Sequence, residues 1–202
     1  MSTESGLVDV LDLEPISEDF LAEVIEGLSS SPPSLPCKYF YDENGAQLFQ
    51  RICELPEYYI TRTETALLRR YGDEIAESIG ANAELVGFGT GAGTKARILL
   101  EHLENPIAYV PVDISKQRLV ESTTQLSHAM PTLDILPVCA DYLQPIRLPK
   151  PPRKPDHIAV YFPGSTIGNL EPVVAADFLR RVCRLCEKSG GLIASGTVSR
   201  EA

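Results

Sequence analysis

From Ala83 onward the chain alternates short, nearly continuous apolar runs with stretches of helical period, and this alternation restricts the fold more than any other feature. Glu84-Leu85-Val86-Gly87-Phe88 leads into a glycine loop and a helical stretch over 94–103. Residues 107–114 lead into a helix over 115–129; runs at 133–140 and 157–162 follow, then a helix over 172–188 and a last run at 191–198. Strands covered on both faces need apolar side chains on both sides, so such runs interleaved with helices specify a parallel sheet with helices over it. The expected fold is α/β, a doubly wound parallel sheet of five strands with right-handed crossovers. Residues 1–80 have helical periods over 18–28, 45–55 and 62–79 and are read as an N-terminal helical layer on or over that sheet. Connectors at 29–36 and at 145–156, the latter with five prolines, separate these blocks.

In a doubly wound sheet a ligand binds beyond the carboxyl ends of the strands, beside the first of them. That position holds Gly87-Phe88-Gly89-Thr90-Gly91-Ala92-Gly93-Thr94-Lys95, where glycines at alternate positions let the backbone approach a ligand closely. A Walker phosphate loop requires Gly-Lys-Ser/Thr, but Lys95 lies between Thr94 and Ala96. A dinucleotide fingerprint requires Gly-x-Gly-x-x-Gly, and after Gly89 and Gly91 the third glycine, Gly93, comes one residue early. An adenosine-bearing cofactor without a pyrophosphate fits the spacing better. Asp113 ends the second run 22 residues after Gly91, where an acidic side chain accepts hydrogen bonds from ribose hydroxyls. It would otherwise cap the following helix, although Ser115 is the more natural N-cap. Asp141-Tyr142, after the third run, offers a carboxylate for an adenine amino group with an aromatic ring beside it.

Composition narrows the partners. Eighteen Lys and Arg against 28 Asp and Glu give a net charge of -10, which disfavours a surface that tracks nucleic-acid phosphates. No apolar run approaches the ~18 residues of a membrane span, and Glu4, Asp9, Asp12 and Glu14 stand where a secretory signal is basic and then apolar. A cytoplasmic protein with a small-molecule substrate, no nucleic acid and no membrane is expected. Five cysteines, an odd number in a chain with room for a core, point to reduced thiols. Cys183 and Cys186 at i, i+3 read as core packing, and His102, His128 and His157 lack ligand spacing, so no metal is expected.

Four blocks, taken in order, carry a family resemblance. They are Tyr39-Phe40-Tyr41-Asp42-Glu43-Asn44-Gly45-Ala46-Gln47-Leu48-Phe49, Leu55-Pro56-Glu57-Tyr58-Tyr59-Ile60-Thr61-Arg62-Thr63-Glu64, Tyr109-Val110-Pro111-Val112-Asp113-Ile114-Ser115, and Pro163-Gly164-Ser165-Thr166-Ile167-Gly168-Asn169-Leu170. In this combination the chain resembles the histidine-specific S-adenosylmethionine-dependent methyltransferases, which include the L-histidine Nα-methyltransferases of ergothioneine biosynthesis. The resemblance implies a Rossmann-like domain over 81–202, with residues 1–80 contributing to the substrate pocket. It implies S-adenosyl-L-methionine as cofactor, held at Gly89, Gly91, Lys95, Asp113, Asp141 and Tyr142. Tyr59 and Asn169 would hold the substrate and position its α-amino group for up to three methylations, giving hercynine. On their own residues, Tyr59 also reads as an amphipathic edge of the helical layer and Asn169 as a turn residue.

Two features depart from the family pattern. Gly87 stands two positions before Gly89, where such methyltransferases usually carry an acidic residue, and weaker cofactor binding is expected from its loss. The chain also stops at Ala202, short of the rest of the family's sheet and of the residues that grip the substrate's imidazole and carboxylate, so the domain is expected to be incomplete at its C-terminus. A non-catalytic, shortened paralogue or fragment that binds cofactor or a partner is therefore the alternative to an enzyme. A nicotinamide-dependent oxidoreductase is a third reading, supported by the glycine loop with Asp113 and opposed by the glycine spacing.

Overall fold

The computed structural model describes residues 9–13, 20–40 and 43–196. Its strands are β1 (Leu11–Asp12), β2 (Ala83–Phe88), β3 (Ala108–Asp113), β4 (Asp134–Ile135), β5 (Val138–Cys139), β6 (His157–Phe162) and β7 (Gly191–Ala194). The α-helices are α1 (Phe20–Ser29), α2 (Glu43–Glu54), α3 (Ile60–Ile79), α4 (Thr94–His102), α5 (Lys116–Ala129) and α6 (Pro172–Cys186). The strands form one parallel sheet in the order β1-β5-β3-β2-β6-β7, with β4 also on β3. The chain leaves β2 for β3 on one side and later returns to place β6 on the other. The point where the winding reverses is thus beside β2 and the glycine loop that follows it.

The five expected strands are present, with two differences. The run at 133–140 is split into β4 and β5 because Pro137 lacks an N–H for the ladder. Leu136 still donates to the Tyr109 carbonyl at 2.9 Å, and the register against β3 is unbroken from Tyr109↔Ile135 to Val112↔Val138. The second difference is β1, two exposed residues added at the edge through Leu11 N–H to the Pro137 carbonyl and Leu13 N–H to the Cys139 carbonyl. A strand this short has no periodicity to detect.

Strand residues of alternate parity feed two cores. Leu85, Tyr109 and Tyr161 face Leu68 of α3, Leu99 of α4 and Leu126 of α5; Val86, Val110 and Val160 face Phe178 and Val182 of α6. Fully burying one such side chain contributes roughly 1.5–3 kcal/mol, and two filled faces make the sheet doubly covered, as its sequence requires. Ser115 caps α5, its Oγ accepting from the Arg118 N–H.

The N-terminal helices are less uniform than a single packed layer. Helix α3 buries Glu64, Leu68, Gly72 and Ala76, one stripe at a spacing of four. Helix α1 has no buried residue and exposes Phe20, Leu21, Ile25 and Leu28. It is fastened at Glu23, which accepts from Lys38 at 3.0 Å and from the Tyr39 hydroxyl at 2.8 Å. The cysteine pair on α6 also divides: Cys186 is in the core, whereas Cys183 is exposed, since i, i+3 positions straddle the edge of that helix's buried face. Among the described residues there is no cluster of metal-ligating side chains and no helix long and apolar enough to cross a membrane.

Candidate cofactor and substrate site

The loop from β2 to α4 turns on three left-handed glycines, Gly89, Gly91 and Gly93, with φ of 60°, 54° and 74°. Side chains rarely adopt this region, so the glycines hold a cradle that other residues would strain. The cradle is walled. A Cβ at Gly89 would lie 3.6 Å from the ring edge of Tyr142, and one at Gly91 would lie 3.6 Å from the Arg118 guanidinium. Asp113, at the end of β3, closes it from beneath: one carboxylate oxygen accepts from the Gly91 N–H at 3.2 Å and the other from the Ser115 N–H at 3.0 Å. Burial pushes the Asp113 carboxyl above the usual carboxylate range, against the opposing pull of those two N–H groups and the Arg118 charge. Ser115 is the cap, as expected, and Asp113 organises the loop.

Asp141 and Tyr142 follow β5 on the same side. One Asp141 oxygen accepts from the Leu143 N–H at 2.8 Å, fixing a tight turn. The Tyr142 ring is anchored by Phe88, Phe162 and Phe178, with centroids 5.9, 5.4 and 5.9 Å away. Its edge faces Gly89, and the structure thus brings Gly89, Gly91, Asp113 and Tyr142 to one place.

Gly87, read from the sequence as a departure from the family pattern, sits where a side chain has little space. A Cβ there would meet the Thr90 methyl at 2.5 Å and the Tyr109 hydroxyl at 3.0 Å. Thr90 and the ring of Tyr109 occupy the space a larger residue would need, and both are buried.

Lys95, in the first turn of α4, forms a buried ion pair with Glu64 of α3 at 2.5 Å. Glu64 also accepts from the Gly164 N–H, from the Ser195 hydroxyl at 2.7 Å and from the Tyr161 hydroxyl at 3.3 Å. Burial, and then the Glu64 charge, push the Tyr161 phenol well above its ordinary value. Glu64 is a candidate site residue that the sequence reading did not single out. It lies within the block that carried the family resemblance, and an acid that opens an otherwise apolar helical stripe was the available signal.

Tyr59 and Asn169 contrast with these groups. Tyr59 is the residue before α3, its carbonyl accepting from the Thr63 N–H, and it is 56% exposed. Asn169 ends a one-turn helix, Thr166–Asn169, and is exposed. The turn before it is held by left-handed Gly164 and Ser165, with φ of 80° and 60°, and by the Thr166 hydroxyl donating to the Pro163 carbonyl. A left-handed serine costs roughly 1–3 kcal/mol and persists where the surroundings determine it. No hydrogen bond among the described residues joins Tyr59 to Asn169.

A family model described as "Histidine-specific methyltransferase, SAM-dependent" matches residues 20–199. The chain belongs to this family. Histidine N-alpha-methyltransferase of Mycolicibacterium smegmatis is 34% identical over 192 residues, which cover 93% of this chain and 58% of that protein. The protein of the same name from Mycobacterium tuberculosis is 34% identical, with coverage of 89% and 56%. The 4-dimethylallyltryptophan N-methyltransferase of Epichloe festucae var. lolii is 32% identical, with coverage of 86% and 53%. The chain therefore spans a little over half the length of these relatives. In the solved structure of a Methanococcus maripaludis protein assigned as an S-adenosyl-L-methionine-dependent methyltransferase, the fold recurs with a TM-score of 0.53 at 20% identity. That match covers 77% of this chain and 64% of the other. The expected Rossmann-like α/β class is thus correct.

Proposed function

We propose that this histidine-specific methyltransferase family member binds S-adenosyl-L-methionine at the carboxyl ends of β2 and β3 and acts as an N-methyltransferase on the α-amino group of L-histidine or a related small amine. The observation that carries the reading is the Asp113 carboxylate, tied to the Gly91 N–H across the crevice beside β2, in a chain of this family. When bound, the cofactor supplies an electrophilic methyl group on a sulfonium.

The residues fit such a group. The glycine cradle leaves room against Tyr142, Asp113 has acceptor capacity for ribose hydroxyls, and Asp141 can accept from an adenine amino group. Lys95 is assigned to the cofactor's amino-acid carboxylate. Tyr59 and Asn169 are assigned to the substrate, where their work is orientation of the amine; alignment of this kind supplies roughly 7–11 kcal/mol in favourable intramolecular cases. The Tyr59 ring would also stabilise the quaternary ammonium product by about 0.5–2 kcal/mol. Residues 1–80 are assigned to the substrate side and 81–202 to the cofactor side.

Incubation of the chain with L-histidine and S-adenosyl-L-methionine, followed by mass spectrometry, tests the activity. Products heavier by successive methyl groups are expected. Cofactor binding without methylated amine would instead make this chain a binding module.

A further inference from the structure

We propose that Glu64 is a positioning residue for the cofactor, setting the place of Lys95 and of the turn that carries Asn169. Four separate elements converge on this one carboxylate. Lys95 of α4 and the Gly164 N–H bond to Oε2 at 2.5 and 3.1 Å; Ser195 after β7, Tyr161 of β6 and the same Gly164 N–H reach Oε1 at 2.7, 3.3 and 3.2 Å. Glu64 is only 6% exposed, so its charge is compensated by these donors and little by water. It takes one of the three N–H donors of Lys95 and fixes the ammonium's position, leaving the others for a ligand carboxylate. The same contact brings Lys95 beside the substrate turn: a Cβ at Gly164 would lie 3.5 Å from Nζ. Since Glu64 is on α3, five residues after Tyr59, one carboxylate links the helix that follows Tyr59 to the cofactor lysine and to the start of the turn that ends at Asn169.

This inference rests on the assignment of Lys95 to the cofactor carboxylate. It is tested by calorimetric titration with two ligands: S-adenosyl-L-methionine, and 5′-methylthioadenosine, which keeps the nucleoside but has no amino-acid carboxylate. Glu64→Gln is expected to weaken S-adenosyl-L-methionine about tenfold or more and to change 5′-methylthioadenosine less than twofold. In a Lys95→Met background the same substitution should alter S-adenosyl-L-methionine binding less than twofold, because the group through which it acts is gone. Equal losses for both ligands would mark Glu64 as merely structural and overturn the proposal, as would unchanged binding in Glu64→Gln or independent, multiplying losses in the double variant. If Glu64→Gln does not fold, Ser195→Ala removes the shortest of the three bonds to Oε1 and leaves the Lys95 pair; it should weaken S-adenosyl-L-methionine about threefold and spare 5′-methylthioadenosine, and no difference between the ligands overturns the proposal. A parent chain that binds neither ligand fails at the proposed function itself, a result distinct from any failure confined to the variants.

Discussion

Asp113 and Tyr59 stand on the two sides of the proposed site and differ in nearly every physical respect. Asp113 is partly buried, ends a fully paired strand and holds the Gly91 and Ser115 N–H groups with both oxygens. Tyr59 is more than half exposed, precedes a helix and has no capping bond from its side chain. The same division holds for their neighbours: Tyr142 is set among three phenylalanines, whereas Asn169 is exposed at the end of a single turn. Groups fixed before a ligand arrives need no reorganisation on binding, so the proposed cofactor side is expected to bind by itself.

The largest effect is expected at Asp113. Asp113→Asn removes a charged acceptor from two N–H groups and from the ribose hydroxyls, and a hydrogen bond to a charged group contributes about 1.5–3 kcal/mol. S-adenosyl-L-methionine binding should weaken about 100-fold by calorimetry, with the fold intact by circular dichroism. A loss under threefold would mean that Asp113 only organises the loop. The same residue sets a pH dependence. Its carboxyl is raised by burial, so its contribution to the unliganded fold is present below the ordinary range near 3.8 and is lost as pH rises through the raised value. Cofactor hydroxyls favour the ionised form. Cofactor affinity should therefore fall by up to about tenfold per pH unit on acidification through a midpoint above 3.8, and Asp113→Asn should flatten that limb.

Asn169→Ala probes the other side. It should raise the KM for the amine or lower turnover by about tenfold, near the 1–1.5 kcal/mol of an ordinary hydrogen bond, and leave cofactor affinity within twofold. Weakened cofactor binding in this variant would dissolve the division between the two sides. Gly87→Ala tests the cradle's packing from below. A Cβ there meets the Thr90 methyl at 2.5 Å, and such overpacking costs roughly 1–3 kcal/mol. A thermal melt should show a Tm lower by several degrees; an unchanged Tm would show that Thr90 moves aside freely.

The division also explains what was legible in the sequence. The sheet could be read because β2, β3 and β6 are largely buried and apolar apart from Glu84, Asp113 and His157, and the glycine spacing and Asp113 lie within about 25 residues of each other. Pro137 interrupted a strand without shifting its register, a distinction that periodicity does not make. Glu64 was hidden because its partners, Lys95, Tyr161, Gly164 and Ser195, are 31 to 131 residues away along the chain and meet only where the strand ends converge. Tyr59 and Asn169 came from motif blocks alone; the exposed positions they occupy follow no buried pattern.

The most direct measurement is calorimetric titration of S-adenosylhomocysteine into the unliganded chain, with and without L-histidine, alongside Asp113→Asn and Asn169→Ala. Saturable one-to-one binding without histidine is expected, weakened about 100-fold in Asp113→Asn and retained in Asn169→Ala. Binding that requires histidine, or that is lost equally in both variants, would contradict it.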